Sequence, residues 1–294
     1  MQDTLNRRDF LKLSGGVLAA SALAGPALAA DAPKRKIQKA IMYATIGYKG
    51  TVLEKLKAVK AAGFEGVEPM SHMNQDEVVK ALEETGLKPA SVCCNTHWAR
   101  PLSHPDESAR KEGLEGMQQA LKDAKRYGAS SILLVPGVVN KDVTYEDCFK
   151  RSVIEIKKAV PLAQELGVKI AIENVWNNFI TKPEQAKEYL EAIDSPQVGW
   201  HFDIGNCIRY SPSETWIPVL GKRILKLHIK EYSKVKGFAV KLFEGDNNWP
   251  AIMKALDDVG YQGWGISEQP GNQASDDASL KDLAQRMDKV FASY

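Results

Sequence analysis

Residues 198–206, Val198-Gly199-Trp200-His201-Phe202-Asp203-Ile204-Gly205-Asn206, begin as a buried strand and end on an acid. Successive strand side chains alternate between faces. His201 and Asp203 therefore point one way, and Trp200 and Phe202 the other. A buried ionisable pair is costly unless a partner or a metal compensates it. The stretch predicts a strand whose last inward residue, Asp203, meets other charged groups.

Working outward, the same plan recurs along the chain. Apolar, β-rich runs fall at 40–43, 66–68, 90–94, 132–135, 169–173, 198–203, 225–230 and 265–268. Helical patterns separate them. One runs from Val52 to Ala62, and another from Gln75 to Thr85 ahead of Gly86. Longer ones end near Tyr127 and Leu166, and Thr181 with Glu184 reads as a capping box for a helix through Ile193. The last two span 249–259 and 280–292. Eight βα units in about 265 residues predict an α/β protein with a (β/α)8 TIM barrel as its one domain, 30–294. A doubly wound open sheet alternates in the same way. No Gly-x-Gly-x-x-Gly turn follows any strand, however, so nucleotide binding has no support.

In such a barrel the chemistry sits at the C-terminal strand ends. Four consecutive strands end in Glu173, Asp203, His228 and Glu268. Three carboxylates repel one another at close range unless a cation joins them. An oxygen-rich set with one imidazole suits Mn²⁺ best, with Mg²⁺, Co²⁺ or Zn²⁺ also accommodated. Lys230 is placed to stabilise a developing enediolate. Around this centre, Glu68, His97, Asn206 and Trp176 are candidate substrate contacts. Pairing of Glu68 with a basic group, a structural His97 and plain packing of Trp176 are the competing readings. His201, one layer below Asp203, reads as support for a ligand. Lys226 shares the inward phase of His228 and demands either a counter-charge or a bulge.

These residues carry a resemblance. Ala171-Ile172-Glu173-Asn174, Phe202-Asp203-Ile204-Gly205-Asn206 and His228-Ile229-Lys230-Glu231 are its densest part. Glu244-Gly245-Asp246 with Trp249-Pro250, and Gly260-Tyr261-Gln262-Gly263-Trp264 with Glu268, complete it. The chain resembles the xylose-isomerase-like barrels of sugar phosphate isomerases and epimerases. The resemblance implies that Glu173, Asp203, His228 and Glu268 bind one divalent metal. It also implies that the two glutamates flank the substrate and move protons. In the tagatose-type epimerases a histidine stands three residues after the aspartate, where this chain has Asn206.

The first 29 residues read as a leader. Asn6-Arg7-Arg8-Asp9-Phe10-Leu11-Lys12 is a twin-arginine stretch, a Gly/Ala-rich apolar run follows, and Ala27-Leu28-Ala29 offers a cleavage site. An N-terminal anchor is the alternative, but Gly15-Gly16 and Pro26 interrupt the run. Cleavage predicts a periplasmic or extracellular protein without a stable membrane anchor. The whole chain carries a net charge of +2, and loss of the leader's three basic and two acidic residues leaves +1. A surface this close to neutral gives no basis for nucleic-acid binding. The four cysteines form no C-x-x-C pattern, and their spacing demands no disulfide. The expected partner is a small sugar or glycoside, and a homo-oligomer is compatible with the sequence.

Three functions compete. The first is a metal-dependent sugar isomerase or epimerase, with one glutamate removing a proton beside a carbonyl and the other returning one. The second is a lyase or hydratase on keto-sugars such as 3-keto-glycosides, because loss of a β-oxygen after the same proton abstraction is elimination. The third is an exported sugar-binding protein without catalysis. A three-zinc DNA repair nuclease on the same fold would need more histidines at strand ends than the five present provide.

Overall fold

The computed structural model describes residues 36–294, so the leader and its cleavage point lie outside the described residues. Nine parallel strands form one sheet in the order β3-β2-β1-β9-β8-β7-β6-β5-β4. They are β1 (Ile37–Met42), β2 (Gly66–Glu68), β3 (Lys88–Pro89), β4 (Val92–Cys93), β5 (Ser131–Leu134), β6 (Lys169–Glu173), β7 (Val198–Asp203), β8 (Ile224–Ile229) and β9 (Gly263–Ser267). The fold is the expected TIM barrel, nearly closed. The count of nine arises because a short strand, Lys88–Pro89, precedes the expected third run at 90–94, of which Val92–Cys93 is strand. Lys88–Pro89 pairs with β2, whereas Val92–Cys93 pairs with β5. Lys88 and Ala90 both donate on the β2 side, at the Glu65 and Val67 carbonyls, and beyond them Cys94 donates to Leu133 of β5 at 3.0 Å. A bridge between Met70 and Cys93 closes the circle.

The helices α1 (Val52–Ala61), α2 (Gln75–Thr85), α3 (Glu107–Tyr127), α4 (Tyr145–Leu166), α5 (Pro183–Ile193), α6 (Ile204–Cys207), α7 (Ile217–Leu220), α8 (Trp249–Asp258) and α9 (Asp277–Phe291) follow the strands. Left-handed glycines end three of them, at Gly86, Gly128 and Gly167, where a side chain would be strained. The start of α5 differs from the expected box by one residue. Gln185 Oε1, not Glu184, accepts from the backbone N–H groups of Thr181 and Lys182 at 2.9 and 3.1 Å. Pro183 takes the first helical turn and shifts the cap to Lys182.

Alternation along the strands sorts the interior into two layers. Ile41, Val67, Ile132, Leu134, Ile170, Ile172, Trp200, Phe202, Leu227 and Ile229 face the helices and build the large apolar core. The opposite faces fill the barrel. On one side that filling is apolar, with Ala40, Met42, Ala90, Cys93, Leu133, Val135 and Ile266. On the other side Glu173, His201, Asp203, Lys226 and His228 are buried, and Glu68 reaches toward them from β2. Lys226 is inward, as its phase required, and a register shift does occur beside it, between Trp200 and His201. The ammonium reaches Ser130 Oγ at 2.9 Å. Burial lowers its pKa to about 8 against the attraction of Glu68. All four cysteines are buried and unpaired. No described helix is long and apolar enough to cross a membrane.

Gly66 shows how tightly the barrel floor is filled. A Cβ there would lie 2.6 Å from the Trp264 ring and 2.7 Å from the Lys88 carbonyl oxygen, a backbone atom. Gly66→Ala should cost about 1–3 kcal/mol by overpacking, read as a lower denaturant midpoint. An unchanged midpoint would mean that the floor yields.

Candidate metal centre

Parallel pairing carries strand ends to one rim, and the register decides which side chains meet. Glu173 pairs with His201, Asp203 with His228, and His228 with Ile266. Glu268 follows β9 directly, with its N–H on the Ile229 carbonyl at 3.2 Å. Donor atoms of Glu173, Asp203, His228 and Glu268 consequently lie within 4.8 Å of one another. His228 is their centre. Its Nδ1 is 2.9 Å from Glu173 Oε1, 3.3 Å from Glu268 Oε2 and 3.8 Å from Asp203 Oδ2.

The electrostatics fit a cation. Burial raises the pKa values of Glu173 and Asp203. Burial also opposes charge on His228, yet Glu268, Glu173 and Glu68 hold its pKa well above the ordinary value. Glu268 goes the other way. Lys230 and His228 outweigh its burial and keep it ionised. Asp203 Oδ2 is buried and accepts no hydrogen bond. Its other oxygen accepts from the N–H of Asn206 at 2.7 Å. One oxygen is thus anchored and the other is left facing the cluster. Three carboxylates, one imidazole and an unsatisfied carboxylate oxygen are a donor set for a hard or borderline divalent ion.

Asn174 organises the rim, and its position directly after Glu173 was the only sequence signal for it. Its side-chain oxygen accepts from Trp200 Nε1 and Asp203 N, both at 3.0 Å. Its amide donates to the Asp203 carbonyl at 2.8 Å. Asn206 donates to the Asn174 carbonyl at 3.0 Å, so its amide serves the framework although the residue lines the cleft.

A cleft of about 240 Å³ opens above the cluster. Glu173, Glu268, Lys230, His97, Asn206 and Trp176 line it, together with Met42, Cys93, Trp98, Val175 and Phe238. Trp176 stacks against Phe238 with ring centroids 4.7 Å apart. Its indole N–H is taken up by the Asn206 carbonyl at 3.0 Å. Phe238 lies in an irregular loop with no periodicity to announce it. His97 accepts from the Val135 N–H at Nδ1, 3.2 Å, and burial lowers its pKa to about 4. It is a neutral imidazole with its proton on Nε2. Lys230 Nζ lies 2.7 Å from Glu268 and 3.5 Å from Asp203.

Two residues lie below the cleft, one of them, His201, in the layer under Asp203 where its phase puts it. Glu68 does not line the cleft but is fully buried behind His228, 3.0 Å from Nε2. The substrate contact does not describe it; pairing with a basic group does, the partner being the His228 imidazole. His201 lies beside it, 3.9 Å from Glu68 Oε1, with no hydrogen bond at either ring nitrogen. It does not touch the cleft.

Residues 56–290 match the Xylose isomerase-like TIM barrel family. The chain belongs to that family. Residues 4–24 match the twin-arginine translocation signal. Among curated relatives, the L-ribulose-5-phosphate 3-epimerase of Escherichia coli K12 is 26% identical over 254 residues, covering 82% of this chain and 89% of its own. Among solved structures, the 3-keto-D-glucoside 4-epimerase of E. coli superimposes with a TM-score of 0.75 at 18% identity, over 87% of this chain and 100% of that one. The IOLI protein, solved with a bound zinc atom, has a TM-score of 0.75 at 17% identity, over 88% and 99%.

Protons held by His228 and Glu173 must leave before these groups can donate to a metal. Both pKa values are raised, so affinity for a divalent ion should climb as pH rises through the neutral range. Titration calorimetry at pH 7 in buffers of different ionisation enthalpy should show release of about one proton or more per ion. A heat independent of buffer would contradict the protonated apo cluster.

Proposed function

We propose that the protein is an exported, divalent-metal-dependent epimerase or isomerase of an unphosphorylated sugar or glycoside. The observation that carries this reading is the meeting of Glu173, Asp203, His228 and Glu268 beneath a sugar-sized, partly aromatic cleft. These four residues would hold the ion, with Mn²⁺ favoured and Mg²⁺, Co²⁺ or Zn²⁺ accommodated. When bound, such an ion polarises a carbonyl and acidifies the neighbouring C–H.

The chain's own groups supply the rest. Glu173 and Glu268, at the ends of strands separated by β7 and β8, take a proton from the carbon beside the carbonyl and return one. Lys230 supplies positive charge next to an oxygen that becomes negative. Trp176 and Phe238 offer apolar faces to a sugar ring. Among the described residues lining the cleft, Lys230 is the cation, and Glu268 and Asp203 already engage it. A phosphate dianion needs uncommitted donors of that kind. This supports a free sugar or glycoside, although the curated relative is named for a 5-phosphate. The twin-arginine match supports export to the periplasm or beyond. Four unpaired buried thiols agree with folding before export.

A second reading has its own support. Trp98, 53% exposed at the cleft mouth, could seat the aglycone of a glycoside. Asn206 stands where the tagatose-type epimerases carry histidine. Proton abstraction beside the ketone of a 3-keto-glycoside would then end in loss of a β-oxygen, as in a lyase or hydratase.

Proton NMR in D₂O with the metal-loaded protein and free ketoses, aldoses and 3-keto-glycosides separates these. The expected outcome is deuterium beside the carbonyl with an epimeric or isomeric product. A vinylic signal or a released aglycone would move the assignment to elimination. Glu173→Gln and Glu268→Gln should each lower kcat by about 10²–10⁴-fold. Free ketoses should also react with a higher kcat/KM than their phosphates. The reverse order would remove the argument from Lys230.

A further inference from the structure

Beneath the proposed metal ligands lies a second buried group of donors, Glu68, His201 and His228, also within 4.8 Å of one another. All three are fully excluded from solvent. His228 belongs to both groups, and its two nitrogens point opposite ways. Nδ1 faces Glu173, Glu268 and Asp203, and Nε2 lies 3.0 Å from Glu68 Oε2.

We infer that Glu68 is a positioning residue, which holds the proton of His228 on Nε2 so that the Nδ1 lone pair faces the metal site. This rests on the metal reading proposed above. A neutral imidazole has one protonated and one bare nitrogen, and the hydrogen bond at one decides the role of the other. A carboxylate is a strong acceptor for Nε2–H, and its charge raises the basicity of Nδ1. Glu68 Oε1 is free of other partners, so the carboxylate is committed to no competing cation.

The alternative occupant of this lower group is a second ion, and two features oppose it. His228 Nε2 cannot donate to Glu68 and ligate an ion at once. Lys226 pairs with His201 across β7 and β8 and shares the inward face of His228, which puts a cationic side chain under the group. Both ring nitrogens of His201 lack a hydrogen-bond partner, so counting bound ions in the parent and in His201→Ala is part of the test.

The test uses the full-length folded barrel and zinc as the probe. Equilibrium dialysis should give one zinc per chain for the parent protein. Glu68→Ala should bind it about 10–100-fold more weakly. Glu68→Gln, which keeps a carbonyl acceptor, should fall between the two. The metal-free Tm of each variant separates loss of metal from loss of fold. Should Glu68→Ala fail to fold, long-range ¹H–¹⁵N NMR of the zinc-loaded parent still decides, with zinc expected on His228 Nδ1 and the proton on Nε2. Parent-like zinc affinity in a folded Glu68→Ala, or zinc on Nε2, would overturn the inference. Two zinc ions per chain, dropping to one in His201→Ala, would overturn it in favour of a second metal site. A parent protein that binds no divalent ion would instead sink the metal reading itself, which is a different result from a variant that equals its parent.

Discussion

One imidazole ties the site together. His228 stands between the three carboxylates of the rim and the buried carboxylate of Glu68. Four acids around a single ring are tolerable only if positive charge is supplied, because burial in low dielectric penalises each ionised group. Without an ion, the positive charge comes from a protonated His228 and from Lys230. Glu268 takes most of the benefit, and its pKa falls while that of Glu173 rises. A divalent ion at this centre would replace the protons that offset its negative charge.

The barrel makes this concentration affordable by confining it. The apolar half of the interior, from Ala40 and Met42 to Leu133 and Ile266, needs no polar compensation. The continuous helix–sheet core carries most of the apolar burial. The ionisable half can then be specialised. Asn174 and Asn206 bond backbone groups of the rim with their amides, which orients Asp203 with one oxygen anchored and the other turned to Lys230 and His228. Aromatic residues from separate loops, Trp176 and Phe238, roof the cleft. Trp176 and Phe238 sit on the loops that follow β6 and β8, the strands that carry Glu173 and His228.

Much of this was legible in the order of residues. Alternation at period two and helices ending in glycine identify the βα units, because both are local consequences of backbone geometry. Glu173, Asp203, His228 and Glu268 could be singled out because each falls at or next to the end of a strand, and the barrel brings those ends together. The one-residue shift at the start of α5 was missed because two overlapping capping patterns compete there, and Pro183 decides between them. The short strand Lys88–Pro89 has no signal in the sequence because a lysine and a proline carry no β-rich pattern, and only pairing with β2 defines it.

The sequence by itself determined the fold class, the family and the four residues that could hold an ion. Each of these depends on local periodicity or on position along a strand. Tertiary structure alone decided which face of His228 meets which carboxylate, and so removed Glu68 from the cleft. It also decided that Lys230 is already neutralised and that Phe238 closes the wall. These are relations between side chains distant in the chain, set by the barrel's register and by the path of its irregular loops, and no local pattern encodes them.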